Sequence, residues 1–123
     1  MKTILGNELI GWIDFPDNQL LRCPYHKKYE AGLLLSVPLD YSYLDIGAHY
    51  GDTVLTLALY AKKWGRDDIR FFAFEPNKRK CQHIRKIARL NRLNINVYNN
   101  CVGNHNNPAI DDGAWDTRLG CCS

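Results

Sequence analysis

The middle of the chain alternates between short apolar runs and longer segments with helical spacing. The runs at residues 43–46, 69–74 and 95–102 are largely apolar, which is typical of strands in a sheet. Between them, residues 52–64 and 77–90 place apolar side chains at helical intervals, and each segment therefore predicts an amphipathic helix. The order strand, helix, strand, helix, strand predicts a parallel sheet with right-handed crossovers.

The first forty residues carry weaker signals. Apolar runs at residues 9–15 and 20–23 flank a turn-type sequence at 16–19, and together they predict a short hairpin. Residues 27–37 predict a short helix that ends before Pro38, because proline cannot continue a helix.

These patterns divide the chain into three parts. Residues 1–40 form the N-terminal hairpin and short helix, residues 41–104 form an α/β core, and residues 105–123 form an irregular tail. Three parallel strands are few for a doubly wound sheet, so we expect an incomplete fold and a chain that is the front part of a longer protein. The open edge of such a sheet would allow self-association.

The second predicted core helix combines an apolar inner side with a basic outer side. Its inner side consists of Cys81, Ile84, Ile87, Ala88 and either Leu90 or Leu93. Seven of the sixteen basic residues lie in the same stretch without any acid, and they are Lys78, Arg79, Lys80, Arg85, Lys86, Arg89 and Arg92. We interpret this stretch as a solvated helix face. Nucleic acid is not an expected partner, because aromatic residues for base stacking are missing there.

The composition fits a single globular domain. The chain has 123 residues, of which 46% are hydrophobic and 24% charged, and this balance excludes collagen-like and wholly disordered classes. The longest uncharged apolar run, residues 31–39, is about half of a membrane span, and the N-terminus lacks the pattern of a signal peptide. We therefore expect no membrane insertion and a cytoplasmic location.

The cysteines indicate neither disulfides nor a metal site. The five cysteines are odd in number and lack C-x-x-C spacing, so we expect reduced thiols. Cys23 and His26 could be metal ligands, but no second pair follows at a usable spacing. We predict no metal.

Residues 45–51, with the sequence DIGAHYG, join the first core strand to the following helix. Gly47 lets a ligand approach the backbone, and the helix offers free N–H groups and the positive end of its dipole. This geometry is typical of nucleotide-cofactor sites. The glycines at 47 and 51 do not match the G-x-G-x-x-G of dinucleotide enzymes or a phosphate loop, which makes a dehydrogenase a disfavoured alternative.

Glu75 follows the second core strand. In doubly wound sheets an acidic side chain at this position lies beside the first loop and can accept hydrogen bonds from both ribose hydroxyls. The combination of this acid with the loop at residues 47–51 predicts a cofactor with an unphosphorylated ribose.

Residues 43–53 (YLDIGAHYGDT), 72–77 (FAFEPN) and 91–94 (NRLN) together resemble the FkbM-type family of class I S-adenosylmethionine-dependent methyltransferases. That family typically shows D-x-G-A-N-x-G, then F-E-P, then a helix ending in N-x-L. The resemblance covers residues 30–104. It implies a Rossmann-like fold, S-adenosyl-L-methionine as the cofactor, and methyl transfer to a hydroxyl oxygen of a sugar or small metabolite.

The resemblance also implies roles for individual residues. Asp45 would lie at a strand end near the methionine part of the cofactor, and Glu75 would bind the ribose. Gly47 and Gly51 would allow close approach. The other residues that it places at the cofactor are Ala48, His49, Asn100 and Cys101, the last two near the adenine edge. His49 stands where the family usually has asparagine.

The chain departs from the family after the third core strand. The next family motif, an acidic D-x-E-G segment that helps to build the active site, has no match after Val102. The sequence therefore does not identify the catalytic residues, and we expect a small-molecule or glycan acceptor. The alternative is a truncated or degenerate methyltransferase fold that acts as a non-catalytic binding module.

Overall fold

The computed structural model describes residues 2–5, 8–14 and 28–103. Its elements in chain order are β1 (Lys2–Leu5), β2 (Glu8–Trp12), α1 (Lys28–Leu35), β3 (Ser42–Ile46), α2 (Asp52–Lys63), β4 (Arg70–Phe74), α3 (Lys78–Leu90) and β5 (Ile95–Tyr98). The predicted order of elements in the core is confirmed. Both core helices and the first two core strands match their predicted bounds to within one residue at either end.

β3, β4 and β5 form a parallel sheet with β4 in the centre. The register pairs Ile46 with Phe74 and Phe74 with Tyr98, so the carboxyl ends of all three strands meet at one edge. Helices α2 and α3 are the crossovers between successive strands and pack on the sheet. This α/β arrangement is compatible with a Rossmann-like fold.

The third core strand is shorter than predicted. The expected strand at 95–102 ends at Tyr98, because its partner Phe74 is the last residue of β4. The ladder closes with one further bond, in which the N–H of Glu75 donates to the carbonyl oxygen of Tyr98 at 3.0 Å. Pro76 follows Glu75 and has no N–H to donate, so the residues after Tyr98 gain no further ladder bond from this segment.

Helix α2 lies at the centre of the core. Its residues 54–61 are all buried, because the sheet, α1, α3 and β2 surround it. The predicted inner residues of α3 are also buried, and they are Cys81, Ile84, Ile87 and Ala88. Leu93 completes this side by packing against the core, whereas Leu90 is 60% exposed.

The sheet has one covered face and one open face among the described residues. On the face away from the helices, Leu44, Ile46 and Tyr98 are 54%, 59% and 43% exposed. The rings of Phe74 and Tyr98 stack there with centroids 5.1 Å apart. No described helix packs on this face, and the predicted incompleteness of the sheet stays a prediction.

The N-terminal hairpin differs from the prediction. β2 pairs antiparallel with the preceding segment, β1, which the sequence did not indicate as a strand. The predicted turn at 16–19 and partner strand at 20–23 lie outside the described residues. The predicted helix at 27–37 is confirmed as α1. No described helix is long and apolar enough to cross a membrane.

The side chain of Asn91 fastens the hairpin to the core. Its Oδ1 accepts from the N–H of Trp12 at 2.6 Å, while its Nδ2 donates to the carbonyl oxygens of Trp12 and Ile87. Gly11 lies so close to α2 that a Cβ there would stand 2.4 Å from Leu59 Cδ2. The hairpin therefore packs on the outer side of the helix layer.

Candidate functional site

The loop at residues 47–51 turns from the end of β3 into α2. Gly47, His49 and Gly51 adopt left-handed backbone angles, with φ of 74°, 59° and 83°. The N–H groups of Gly47 and Ala48 donate to the carbonyl oxygen of Phe74 at 2.8 and 3.0 Å. These bonds hold the loop, which we call the glycine loop, against the carboxyl end of β4.

Glu75 connects the glycine loop to the start of α3. Its Oε1 accepts from the N–H of His49 at 2.8 Å, and its Oε2 accepts from the N–H of Asn77 at 2.7 Å. The residue is 4% exposed. A carboxylate has about four acceptor positions, so two remain after these bonds. Glu75 thus lies beside the glycine loop, where the sequence predicted it.

The two predicted loop glycines have different surroundings. A Cβ built on Gly47 would meet nothing within 4 Å, so this glycine borders open space. A Cβ on Gly51 would stand 2.9 Å from both Ile84 and Leu55 side-chain atoms. The missing side chain of Gly51 therefore serves close packing of the loop against α2 and α3, while Gly47 leaves space beside the loop.

Asp45 and Ala48 lie on the inner side of this region. Ala48 is 2% exposed, and it reaches the site through its main chain. Asp45 is partly buried at the end of β3, and its Oδ2 atom is shielded from solvent. Both residues thus belong to the same strand end as the glycine loop.

The end of β5 reaches the site through a residue that the sequence did not single out. Asn99 Nδ2 donates to the carbonyl oxygens of Glu75 at 3.1 Å and Pro76 at 2.7 Å. Asn100 and Cys101 follow directly, the first exposed and the second partly exposed. Asparagine is common in turns that follow strands, so its position in the sequence did not indicate this contact.

A group of rings and a lysine also borders the glycine loop. Lys80 Nζ lies 3.3 Å from His49 Nε2 and 5.6 Å from the ring centroid of Tyr50. Tyr50 makes edge contacts with His49 and His83, with centroids 5.5 Å apart in each case. His83 Nε2 in turn donates to the carbonyl oxygen of Asp14 at 2.5 Å. The sequence placed only His49 at the site. Tyr50 belongs to the same loop but had no predicted role, and the contacts of Lys80 and His83 depend on how α3 packs.

Cys81 lies behind the site and is not suited to nucleophilic chemistry. Its thiol donates to the carbonyl oxygen of Glu75 at 3.0 Å. Burial raises the pKa of the Cys81 thiol, which keeps it protonated. No group of three or more metal-ligating side chains occurs among the residues that the structure covers.

A separate groove of about 310 Å³ lies at the opposite, amino end of the strands. Its lining is Ala58, Ala61, Lys62, Arg66, Asp67, Ile69, Phe71, Arg92, Leu93 and Asn94. Nearby, hydrogen bonds from Arg66 lower the pKa of Asp68 to about 2. None of the predicted site residues lines this groove.

Comparison with known proteins does not identify the chain: no family model matches it, and no curated protein is significantly similar to it. The functional hypothesis therefore rests on the motifs of the sequence and on the geometry of the site.

Proposed function

We propose that this chain binds S-adenosyl-L-methionine at the carboxyl edge of the β3–β5 sheet, as part of a class I methyltransferase fold of the FkbM type. The observation that carries the proposal is the Glu75 carboxylate, which joins the end of β4 to the glycine loop at the end of β3. In open α/β sheets, ligands bind outside the carboxyl ends of the strands. An acid and a glycine loop at that edge suit a nucleoside with free ribose hydroxyls.

The residues at this edge have the chemistry to hold such a cofactor. Glu75 has two acceptor positions beyond its two main-chain bonds, which is the number that two ribose hydroxyls require. Gly47 borders open space, so the main chain can come close to a ligand. Asp45 would face the methionine part, and Asn100 and Cys101 the adenine.

When bound, the cofactor would supply an electrophilic methyl carbon on a positively charged sulfur. The acceptor oxygen would bond to that carbon as the carbon–sulfur bond breaks, the neutral thioether would leave, and the hydroxyl proton would pass to water. The task of the protein is to hold the two reactants in line. Glu75 contributes by fixing the glycine loop as well as by binding the ribose. The acceptor is a hydroxyl of a small molecule or glycan. We also propose a cytoplasmic location, where thiols stay reduced.

The test uses two glycines with matched backbone strain. Gly47 and Gly65 have φ of 74° and 72°, and a Cβ at either position would meet nothing within 4 Å. Gly47→Ala and Gly65→Ala should therefore lower the Tm by similar amounts, since alanine costs about 1–2 kcal/mol in the left-handed region. Isothermal titration with S-adenosylhomocysteine should show binding to the parent and to Gly65→Ala, and at least tenfold weaker binding to Gly47→Ala.

NAD serves as the second ligand in this titration. Binding of NAD without S-adenosylhomocysteine would favour a nucleotide-binding enzyme of another class. Equal S-adenosylhomocysteine affinity in the two alanine variants would remove the glycine loop from the cofactor site.

The open face of the sheet favours one second candidate, a non-catalytic binding module. Leu44, Ile46 and Tyr98 are exposed on that face, which no described helix covers. A chain of this kind would bind S-adenosylhomocysteine without transferring methyl groups to hydroxyl acceptors. Methyl transfer over several turnovers would exclude it.

A further inference from the structure

Lys80 points from the first turn of α3 back to the glycine loop. It lies three residues after Asn77, whose side chain caps the helix by accepting from the N–H of Lys80 at 3.0 Å. The Lys80 ammonium lies 3.3 Å from His49 Nε2 and 5.6 Å from the centre of the Tyr50 ring. A positive charge is therefore held at the border of the proposed cofactor site.

No carboxylate of a described residue pairs with this charge. Among the described residues, the Lys80 ammonium contacts the His49 ring and the Tyr50 ring but no acid. The carboxylate of Glu75 bonds to main-chain N–H groups instead. Lys78 and Arg79 add two further positive charges, and the first turn of α3 contains no acid.

The position of these charges is unfavourable for the helix by itself. The N-terminal end of a helix already carries a partial positive charge, so lysine and arginine in the first turn are repelled by it. Glu75 already places one negative charge at this end of the helix, where it accepts from the N–H of Asn77 at 2.7 Å. An anion bound beside Lys80 would add a second, and it would reduce the repulsion among the three positive charges of the first turn.

The imidazole nitrogen Nε2 of His49 lies beside the Lys80 ammonium. The residue is exposed and has a left-handed φ of 59°, which is uncommon for a residue other than glycine. With Lys80 protonated, His49 Nε2 accepts the hydrogen bond between them. An anion beside the pair would receive hydrogen bonds from Lys80 Nζ and, once the imidazole turns away from the ammonium, from an Nε2–H of His49.

We infer that Lys80 and His49 form an anion subsite that binds a carboxylate or phosphate group of the methyl acceptor. The inference rests on the proposed methyltransferase function and narrows the acceptor to an acidic small molecule, such as a sugar acid or a sugar phosphate. His49 is part of the glycine loop, so a group held there lies next to the proposed cofactor site.

Lys80→Met removes the charge and keeps a long, helix-compatible side chain, while His49→Asn keeps a residue that tolerates the left-handed backbone. Lys86→Met is the matched control, because Lys86 is an exposed lysine on the same helix. Each variant is first compared with the parent by circular dichroism and Tm. Isothermal titration then uses glucuronate, glucose 6-phosphate and uncharged glucose, with and without saturating S-adenosylhomocysteine.

We expect one of the two acidic sugars to bind the parent at least tenfold more tightly than glucose, and which of them does so distinguishes carboxylate from phosphate. Lys80→Met should abolish this preference, His49→Asn should reduce it, and Lys86→Met should retain it. Equal affinity of all three sugars, or the same loss in Lys86→Met, would overturn the inference.

S-Adenosylhomocysteine and methylthioadenosine separate the remaining outcomes. If Lys80→Met weakens S-adenosylhomocysteine but not methylthioadenosine, Lys80 binds the carboxylate of the cofactor, and its assignment to the acceptor is wrong. If S-adenosylhomocysteine does not bind the parent at all, the proposed function fails. If it binds and no acidic sugar is preferred, only the anion subsite fails.

Discussion

Replacement of Glu75 should destabilise the fold even when no ligand is present. The carboxylate accepts one main-chain hydrogen bond from His49 and one from Asn77, and it is almost fully buried. Hydrogen bonds to charged groups contribute about 1.5–3 kcal/mol each, so Glu75→Ala should lower the free energy of unfolding by about 3–6 kcal/mol. For a chain of this size that corresponds to a Tm lower by roughly 10 °C or more.

Glu75→Gln separates the structural role of this residue from the proposed ribose contact. The amide keeps one acceptor oxygen and turns an NH₂ group towards the second N–H, so its Tm should lie between those of the parent and Glu75→Ala. Its S-adenosylhomocysteine affinity should fall by roughly 10- to 150-fold, which is the equivalent of about 1.5–3 kcal/mol.

Thermal unfolding without ligand and titration calorimetry well below the lowest Tm measure the two effects separately. Asp67→Asn is the control, because Asp67 is an exposed acid whose replacement should leave both values unchanged. An unchanged Tm in Glu75→Ala would refute the contacts described for this carboxylate. A lower Tm with parental S-adenosylhomocysteine affinity in Glu75→Gln would leave Glu75 as a structural residue only.

Three further results are expected. Asn91→Ala should lower the free energy of unfolding in urea by about 2–3 kcal/mol and speed amide exchange at Trp12, because it removes the hydrogen bonds that fasten the hairpin. Arg66 lowers the pKa of Asp68 to about 2, below its value in the unfolded chain. The pair should therefore stabilise the fold above about pH 4, and this contribution should be lost as the pH falls from 4 to 2. In Arg66→Gln the stability should fall less steeply over that interval, and a curve identical to that of the parent would count against the pair. Burial raises the pKa of the Cys81 thiol, so iodoacetamide at pH 8 should alkylate Cys81 much more slowly in the native protein than in urea, as read by peptide mass spectrometry.

The sequence was most informative where structure depends on local periodicity. Helix α2 and strand β4 are apolar enough on their inner positions that spacing alone located them. The end of β5 was not predictable in this way, because it is determined by the length of β4, its partner in the sheet. The pairing of β2 with β1 was missed for a similar reason, since strand pairing is decided between segments and not within one.

The candidate site shows the same limit. A glycine loop after one strand and an acid after the next predicted that Gly47 and Glu75 would share a sheet edge, and the structure places them there. The sequence could not show that Glu75 would bond to the main chain of His49. It also gave no signal for Lys80, whose approach to the loop depends on the rotation of α3 about its axis.

The contact between Trp12 and Asn91 affects the order in which the protein can fold during synthesis. The two residues are 79 positions apart. At ribosomal rates of about 5–20 residues per second, the hairpin emerges roughly 4–16 seconds before the end of α3 that fastens it. Slow-codon or pulse-labelling experiments on ribosome-bound chains should therefore show the bonds between Trp12 and Asn91 only after Asn91 has left the exit tunnel, whereas Gly11 can meet Leu59 of α2 earlier. The beginning of the chain is thus among the last parts of the described fold to become fixed.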